Sequence, residues 1–184
     1  MDLSIVIVNW NTQDLLSVCL QTVFDTVTDL QFEVLVVDNA SEDGSVAAVR
    51  SSFLQVRLVE NEENVGFARA NNQAIALSRG RYVLLLNSDA ELQDETVESL
   101  VAFMDDHADA GVVGAQLLNP DGSFQASHSP FPTLGQEFLM RTGLGRLLFG
   151  RWYPSRRPES SRHPQPVDHV EGACMLVRRK AIEE

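Results

Sequence analysis

The stretch LSIVIVNWN (3–11) decides the fold that we expect, because it joins a strand pattern to a polar turn. Its first six residues form the short, β-branched apolar run that is typical of a strand buried on both faces. Two similar runs follow, FEVLVV (32–37) and YVLLL (82–86), and segments with apolar residues at helical spacing separate the three. Strands that alternate with helices predict a largely parallel sheet with right-handed crossovers, and therefore an α/β fold.

The rest of the pattern predicts the other elements. Asn11 or Thr12 is expected to cap the first helix and Asp94 the fourth, and Gly80 is expected to close the third. The turn signature Asn119-Pro-Asp-Gly122 predicts a hairpin. The predicted helices cover about 12–26, 45–53, 67–78, 94–107 and 134–149, and the further strands 56–60, 111–118 and 167–177, with another helix starting at 178.

Charge and proline content divide the chain in two. Residues 1–120 hold 19 acidic and 5 basic side chains, whereas 121–184 hold 7 and 9, and all seven prolines lie at position 120 or later. We therefore expect an α/β half over 1–120 and a looser segment over 121–184, with a flexible flap over 128–166. The formal net charge of −12 argues against a nucleic-acid partner, since such proteins present basic surfaces.

The cysteines and the apolar runs predict a cytoplasmic protein. Cys19 and Cys174 lie in apolar patterns, so we expect both to be buried, reduced thiols. The N-terminus lacks the basic segment of a secretory signal. The longest apolar runs are far shorter than the ~20 residues that a spanning helix needs.

Polar clusters follow each of the first four predicted strands. Ligands bind beyond the carboxyl ends of the strands in sheets of this kind, so these clusters are the candidate site. Loops after buried strands are usually polar, but four clusters rich in Asn and Asp exceed what that requires. The clusters are 9–12, 38–45, 61–66 and 87–89.

Each cluster allows a functional and a plainly structural interpretation. The carboxylate of Asp38 could accept a hydrogen bond from a pyrimidine base or a ribose, or it could only cap the next turn. Asn87-Ser88-Asp89 could hold a divalent cation with a diphosphate, or it could form a simple Asx turn. Asn64-Val65-Gly66 could present backbone N–H groups to an anion, or it could only turn the chain.

Taken together, the clusters resemble the family 2 glycosyltransferases, in the branch that includes bacterial rhamnosyltransferase-like enzymes. The likeness is close over 1–120 and weaker over 167–184, whereas the flap between them matches nothing recognisable. The segments that carry the resemblance are SIVIVNWN (4–11), VLVVDNASEDGS (34–45), ENVGFARANNQAI (63–75), YVLLLNSDA (82–90) and VEGACMLVRRKAIEE (170–184).

The resemblance implies a GT-A fold and the inverting transfer of a sugar from a nucleotide-diphosphate sugar to an acceptor hydroxyl, with Mg²⁺ or Mn²⁺. It makes 1–120 the nucleotide-sugar-binding half and 121–184 the acceptor side. Asp38 would bind the base, and Asp89 would contact the metal. The implied nucleotide-sugar-binding residues are Val8, Asn9, Asp38, Asn64, Gly66, Asn87, Ser88 and Asp89.

The chain departs from the family pattern at two points. Asn87 stands where the first acid of the D-x-D motif would be, so it contributes no charge to a metal site. The carboxylate that acts as general base belongs to a later motif, so we expect it beyond Glu184. We therefore expect a C-terminally truncated chain that binds a nucleotide sugar but transfers it poorly.

The resemblance leaves the substrates open. A dTDP-sugar is expected from the branch and a UDP-sugar next, with a glycan or lipid-linked acceptor. The basic part of the flap, 141–162, could then contact the inner face of a membrane. A sugar nucleotidyltransferase is disfavoured because the first loop, Asn9–Thr12, has neither Gly nor a basic residue. A non-catalytic nucleotide-sugar-binding or scaffold module remains the alternative.

Overall fold

The computed structural model describes residues 1–149 and 164–184. Within these ranges the chain forms two compact units, one of 1–113 with 172–184 and the other of 114–171. The boundary differs from the expected division at residue 120, because the last 13 residues return to the first unit. The flap arginines at 151, 156, 157 and 162 lie outside the described residues, so the expected flexibility of the flap remains a prediction there.

The elements follow one another in the predicted alternation of strands and helices. In chain order they are β1 (Leu3–Asn9), α1 (Gln13–Thr26), β2 (Phe32–Asp38), α2 (Ser45–Ser52), β3 (Arg57–Glu60), α3 (Phe67–Leu77), β4 (Tyr82–Asn87), α4 (Thr96–Asp106), β5 (Val112–Gly114), β6 (Leu117–Leu118), β7 (Phe124–Gln125), β8 (His128–Ser129), α5 (Leu134–Thr142), α6 (Leu144–Phe149), β9 (His169–Val170), β10 (Cys174–Arg178) and α7 (Arg179–Glu183).

One six-stranded sheet organises the described part of the first unit, in the order β3-β2-β1-β4-β10-β5. The pairs β1–β2, β1–β4 and β2–β3 are parallel, whereas β10 runs antiparallel to β4. The predicted α/β fold with a mostly parallel sheet is therefore confirmed. No helix in the described ranges is both long enough and apolar enough to cross a bilayer.

The core explains why the strand sequences are apolar throughout. Strands β1, β2 and β4 bury side chains on both faces, and α3 packs Ala70 and Ala74 against one of them. Cys19 of α1 and Cys174 of β10 are buried and free, as predicted. Burial raises the pKa of the Cys19 thiol to about 12 and that of Cys174 to about 11.

Two predicted helix ends were wrong. Gly80 does not close α3, because that helix ends at Leu77 with Ser78 in the cap position. Gly80 instead lets the chain pass close to β1, where a Cβ would lie 2.5 Å from the backbone of Leu3 and Ser4. Asp94 does not cap α4, which begins at Thr96 after Glu95 in a left-handed conformation.

The predicted strand over 111–118 is two strands, because β5 joins the main sheet and β6 pairs with β7. The turn between β6 and β7 is confirmed by a 2.8 Å bond from the Gly122 N–H to the Asn119 carbonyl. The strand expected over 167–177 is likewise divided into β9 and β10. The helix expected near 134–149 is divided into α5 and α6 at Gly143, whose φ of 73° ends α5.

Two arginines at the end of the chain form hydrogen bonds to other elements of the first unit. The guanidinium of Arg178 donates to the carbonyls of Met104, His107 and Ala110 at 2.6 to 3.0 Å. A cation at the carboxyl end of α4 also complements the helix dipole. Arg179 donates to the Gly80 carbonyl at 2.6 Å. The last residues are therefore part of the first unit's architecture.

Replacing Gly80 by Ala should destabilise the first unit. The new methyl group would overlap the β1 backbone, which cannot move aside as a flexible side chain can. We expect Gly80→Ala to lower the free energy of unfolding by about 2 kcal/mol or more in urea denaturation. Gly172→Ala is the matched control, because a Cβ there meets no described atom within 4 Å. Equal stabilities for the two variants would contradict the close approach.

The ionisation of Asp105 should make the stability of the fold depend on pH. Its carboxylate accepts from the Arg81 guanidinium and, at 2.8 Å, from the Tyr82 hydroxyl, and these bonds lower the pKa of Asp105. A lowered pKa stabilises the fold above the unfolded-state value, and the benefit disappears as the pH falls through the folded-state value.

We therefore expect Asp105→Asn to cost about 0.5 kcal/mol near neutral pH, since the pair is half exposed. The deficit should shrink as the pH falls below the ordinary carboxyl range and disappear once it has passed through the lowered pKa of Asp105. Urea denaturation of both proteins across this range measures the difference, and a deficit that is constant with pH would show that the charge plays no part.

Candidate functional site

The carboxyl ends of β1, β2 and β4 form the candidate site. Asn9 stands opposite Asp38 in the β1–β2 register, and Val8 stands opposite Asn87 in the β1–β4 register. Glu60, the last residue of β3, stands opposite Asp38 in the β2–β3 register. All four predicted polar clusters therefore start at one edge of the sheet. Val8 is half-buried within β1.

A buried hydrogen bond joins β1 to β2 at this edge. The amide of Asn9 donates to Asp38 Oδ1 at 2.8 Å and to the hydroxyl of Ser41 at 3.1 Å. The other oxygen, Asp38 Oδ2, accepts the Ser41 backbone N–H at 2.8 Å. Asn9 and Asp38 are only 0% and 2% exposed, so these donors offset the cost of burying a carboxylate.

Asp38 therefore has the turn-capping role that was one of its two predicted interpretations. The same contacts leave its ligand-binding role possible, because each carboxylate oxygen has two lone pairs and can accept a further hydrogen bond. Fixed by Asn9 and Ser41, the carboxylate has one orientation at the end of β2.

Thr12 links this pair to the loop after β4. Its hydroxyl donates to Asn9 Oδ1 at 2.7 Å and lies 3.0 Å from the hydroxyl of Ser88. Since Thr12 has one hydroxyl proton, Ser88 is the donor in the second bond. Of the two predicted caps, Asn11 and Thr12, Thr12 occupies the N-cap position of α1. Its side chain makes no hydrogen bond to a helix N–H, however, so it does not cap the helix chemically.

The loop after β2 supplies that cap instead. Asp43 accepts the Gln13 N–H at 2.7 Å and the Ser45 N–H at 3.0 Å. Burial acts to raise the pKa of Asp43, but the hydrogen bonds from Ser45 and Gln13 together outweigh it and lower the pKa. The sequence showed a cluster of turn residues here but not which helix they would serve.

Two residues at this edge have strained backbones. Asn11 and Ala40 have φ values of 54° and 62°, in the left-handed region that non-glycine residues rarely adopt. Hydrogen bonds across the loops hold Asn11, whose N–H donates to the Ser41 hydroxyl at 2.9 Å and whose Oδ1 accepts the Glu42 N–H at 2.8 Å. Such strain is often found at functional sites.

A second network positions the loop after β3. Asn61 Nδ2 donates to Asn39 Oδ1 at 2.9 Å, and the side-chain amides of Asn61 and Gln73 bond each other at 3.0 Å. Sequence reasoning did not single out Asn39 or Gln73. Their only signal was polar side chains beside a buried strand and on a helix.

The Asn64–Gly66 cluster forms a turn before α3. Asn64 Oδ1 accepts the Gly66 N–H at 2.9 Å, and both residues are exposed. Gly66 has φ 84° and ψ 160°, a conformation that is open almost only to glycine. The structure thus shows the turn at this cluster, and the contact of the cluster with an anion remains a prediction.

Asn87 and Ser88 are half-buried at the end of β4, and Asp89, the next residue, is exposed. The Asn87 N–H donates to the Ala173 carbonyl at 3.0 Å, so the segment before β10 holds the end of β4. The Cys19 thiol of α1 donates to the Asn87 carbonyl at 3.5 Å, so α1 also contacts the end of β4.

The predicted metal site offers few protein ligands. Within the described ranges, no three His, Cys, Asp or Glu side chains are grouped to hold an ion. At the predicted site, Asp89 would provide one carboxylate and Asn87 one amide oxygen. Mg²⁺ is commonly held by one or two carboxylates together with substrate phosphates, so this set fits a cation shared with a diphosphate rather than one bound by the protein alone.

Comparisons with known proteins show the family of the chain. The model described as "Glycosyl transferase family 2" matches residues 4–184. The chain is 29% identical over 174 residues to an N-acetylglucosaminyl-diphospho-decaprenol L-rhamnosyltransferase of Mycobacterium tuberculosis, covering 84% of this chain and 54% of that protein. It is 25% identical over 187 residues to the low-salt glycan biosynthesis hexosyltransferase Agl10 of Haloferax volcanii, covering 100% and 54%. The chain thus spans about half the length of these relatives.

Solved structures confirm the expected GT-A fold. Residues 1–349 of S. aureus TarS superpose with a TM-score of 0.60 at 23% identity, over 71% of this chain and 42% of that one. The same TarS fragment in complex with UDP-GlcNAc superposes with a TM-score of 0.59 at 26% sequence identity, over 69% of this chain and 38% of that one. The mannosyltransferase PcManGT of Pyrobaculum calidifontis, in complex with GDP-Man and Mn²⁺, superposes with a TM-score of 0.58 at 26% sequence identity, over 77% of this chain and 46% of that one.

Removing the Asp38 carboxylate should destabilise the fold as well as the site. Asp38→Ala leaves buried N–H groups of Asn9 and Ser41 without their acceptor, so we expect a loss of about 2–4 kcal/mol in urea denaturation. Asp94→Ala, at an exposed carboxylate, should stay within about 0.5 kcal/mol of the parent. A loss at Asp38 no larger than at Asp94 would mean that the network does not stabilise the sheet edge.

Proposed function

The chain belongs to glycosyl transferase family 2, and we propose that it binds the donor for an inverting transfer of a sugar from a nucleotide-diphosphate sugar to an acceptor hydroxyl. The product would be a cell-surface polysaccharide or another glycan. The observation that carries the proposal is the convergence of Asn9, Asp38 and Asn87 at one sheet edge, with the exposed Asp89 in the loop after β4.

Asp38 is the proposed contact for the nucleoside. Its carboxylate is held in one orientation by Asn9 and Ser41 and can still accept an N–H from the base or an O–H from the ribose. Val8 and Asn9 would line the same pocket. Because its buried neighbours already fix the Asp38 side chain, little conformational entropy would be lost from it when the nucleoside binds.

Asp89 is the proposed contact for Mg²⁺ or Mn²⁺. The first 120 residues are strongly acidic, so a diphosphate needs a positive partner there. When bound, the cation supplies charge neutralisation to the diphosphate leaving group. Asn87 and Ser88 would contact the donor through neutral groups, and Asn64 and Gly66 would border the nucleotide at the start of α3, where free N–H groups favour anions.

The general base is proposed to lie beyond Glu184. An inverting transfer requires a base within hydrogen-bond reach of the acceptor hydroxyl. The relatives from Mycobacterium and Haloferax are about twice as long as the part that this chain covers. The 184 residues would therefore bind the donor while transferring the sugar poorly.

The acceptor is proposed to be a glycan or a lipid-linked sugar, bound on the side of residues 121–184. The name of the Mycobacterium relative, an N-acetylglucosaminyl-diphospho-decaprenol L-rhamnosyltransferase, supports a lipid-linked acceptor. The resemblance to the rhamnosyltransferase-like branch favours a dTDP-sugar as the donor. A UDP-sugar is the second choice, since TarS binds UDP-GlcNAc. A lipid-linked acceptor would place the protein in the cytoplasm, at the inner face of a membrane.

Calorimetric titration with dTDP and with UDP, with and without Mn²⁺, tests the donor site. We expect Mn²⁺ to tighten binding at least about tenfold, because one carboxylate and the diphosphate share the ion. Asp89→Ala should lose that gain and bind like the parent without metal. Asp94→Ala is the matched control, an exposed carboxylate five residues further on that should keep the full effect.

Two results would count against the proposal. Binding that is equally tight in Asp89→Ala, with and without Mn²⁺, would remove the metal role of Asp89. Failure of the folded parent to bind any nucleoside diphosphate would overturn the donor site itself. Metal-dependent binding without transfer, even in the full-length protein, would instead support the non-catalytic binding module.

A further inference from the structure

Helices α5 and α6 of the second unit expose large apolar side chains. Leu134 and Leu147 are 92% and 80% exposed, and Phe138 and Leu148 are 60% and 65% exposed. No described side chain of α5 is buried, although α5 and α6 contact each other. A soluble surface rarely concentrates so many large apolar groups in so short a segment unless they contact a partner.

The exposed residues repeat at helical spacing. Leu134 and Phe138 are four residues apart in α5, so they lie on one face, and Leu144, Leu147 and Leu148 do the same in α6. Arg141 lies one turn beyond Phe138, is exposed, and has its guanidinium 3.7 Å from the carboxylate of Glu137. Each helix therefore presents an apolar face, and α5 carries a cation at the end of its face.

The same stretch carries the chain's concentration of positive charge. Residues 131–162 contain six arginines and two glutamates, with no Lys or Asp. The other 152 residues contain eight basic and 24 acidic side chains. Two of the six arginines, Arg141 and Arg146, belong to α5 and α6, and the other four follow in the sequence outside the described residues. The basic segment therefore overlaps the exposed apolar helices in sequence.

We propose that the α5–α6 face, defined here by Leu134, Phe138, Arg141, Leu147 and Leu148, docks on an anionic lipid surface. A nucleic acid would pair with the arginines but leave the leucines exposed to water. A purely apolar groove would bury the leucines but leave the arginines without anionic partners. An anionic bilayer offers headgroups for the cations and acyl chains for the apolar groups, which is how interfacial amphipathic helices bind. The docking goes beyond donor binding and would bring the second unit to a lipid-linked acceptor.

Vesicle sedimentation of the whole chain tests the docking. We expect binding to vesicles of equal parts phosphatidylglycerol and phosphatidylcholine, weakened by salt, and little binding to phosphatidylcholine alone. The double variant Leu134→Gln with Phe138→Gln should lower the partition coefficient at least about tenfold, since two large apolar groups no longer enter the interface. These side chains are exposed, so the variant should fold as the parent does.

Matched controls separate the face from general hydrophobicity and charge. Leu54→Gln removes an 83% exposed leucine from the first unit and should leave vesicle binding unchanged. Arg141→Gln should lower the partition coefficient about fivefold, while Lys180→Gln, at an exposed cation of α7, should not.

Three outcomes would overturn the docking. They are no binding to the anionic vesicles, binding that the double variant retains, and a concentration-dependent dimer in sedimentation velocity that the double variant abolishes, which would assign the face to a second copy of the chain. Titration of the double variant with dTDP and Mn²⁺ keeps the two proposals distinct. Normal nucleotide binding with lost vesicle binding supports the docking, and vesicle binding without nucleotide binding refutes only the donor site.

Discussion

The buried hydrogen bond between Asn9 and Asp38 is the interaction on which the site depends. It joins the ends of two parallel strands where the sheet would otherwise end in unpaired polar groups. Thr12 and Ser88 extend it to the loop after β4, so three loops are held in one arrangement by side chains that are buried or half-buried. A ligand that contacts this edge would meet groups that are already oriented, and little ordering would be left for binding to accomplish.

The final strand gives that edge its second support. Strand β10 runs antiparallel beside β4, and the segment before it holds the Asn87 N–H. At the other end of β10, Arg178 fastens the strand to α4, and Arg179 fastens the start of α7 to Gly80. Residues far apart in sequence thus determine the position of the loop that carries Asp89. The central sheet is completed only after the chain has passed through the second unit, whose exposed α5–α6 face has a different charge and surface chemistry.

Much of this architecture could be predicted from the sequence, because buried parallel strands are apolar throughout and their carboxyl ends are where ligands bind. The positions of Asn9, Asp38 and Asn87 followed from that pattern. The roles of Gly80 and Thr12 did not, since a close backbone approach and a hydroxyl turned toward Asn9 depend on partners remote in sequence. The Asn39–Asn61–Gln73 network was missed for the same reason. The division of 111–118 between two sheets also required tertiary pairing.

The central claim is that this sheet edge holds a nucleoside diphosphate through Asp38 and, with a shared divalent cation, through Asp89. A crystal structure of the chain with dTDP and Mn²⁺ tests it most directly. We expect the ion between the diphosphate and the Asp89 carboxylate, with the nucleoside against Asp38 and Asn9. A nucleotide bound away from the ends of β1, β2 and β4, or an ion that Asp89 does not contact, would contradict it.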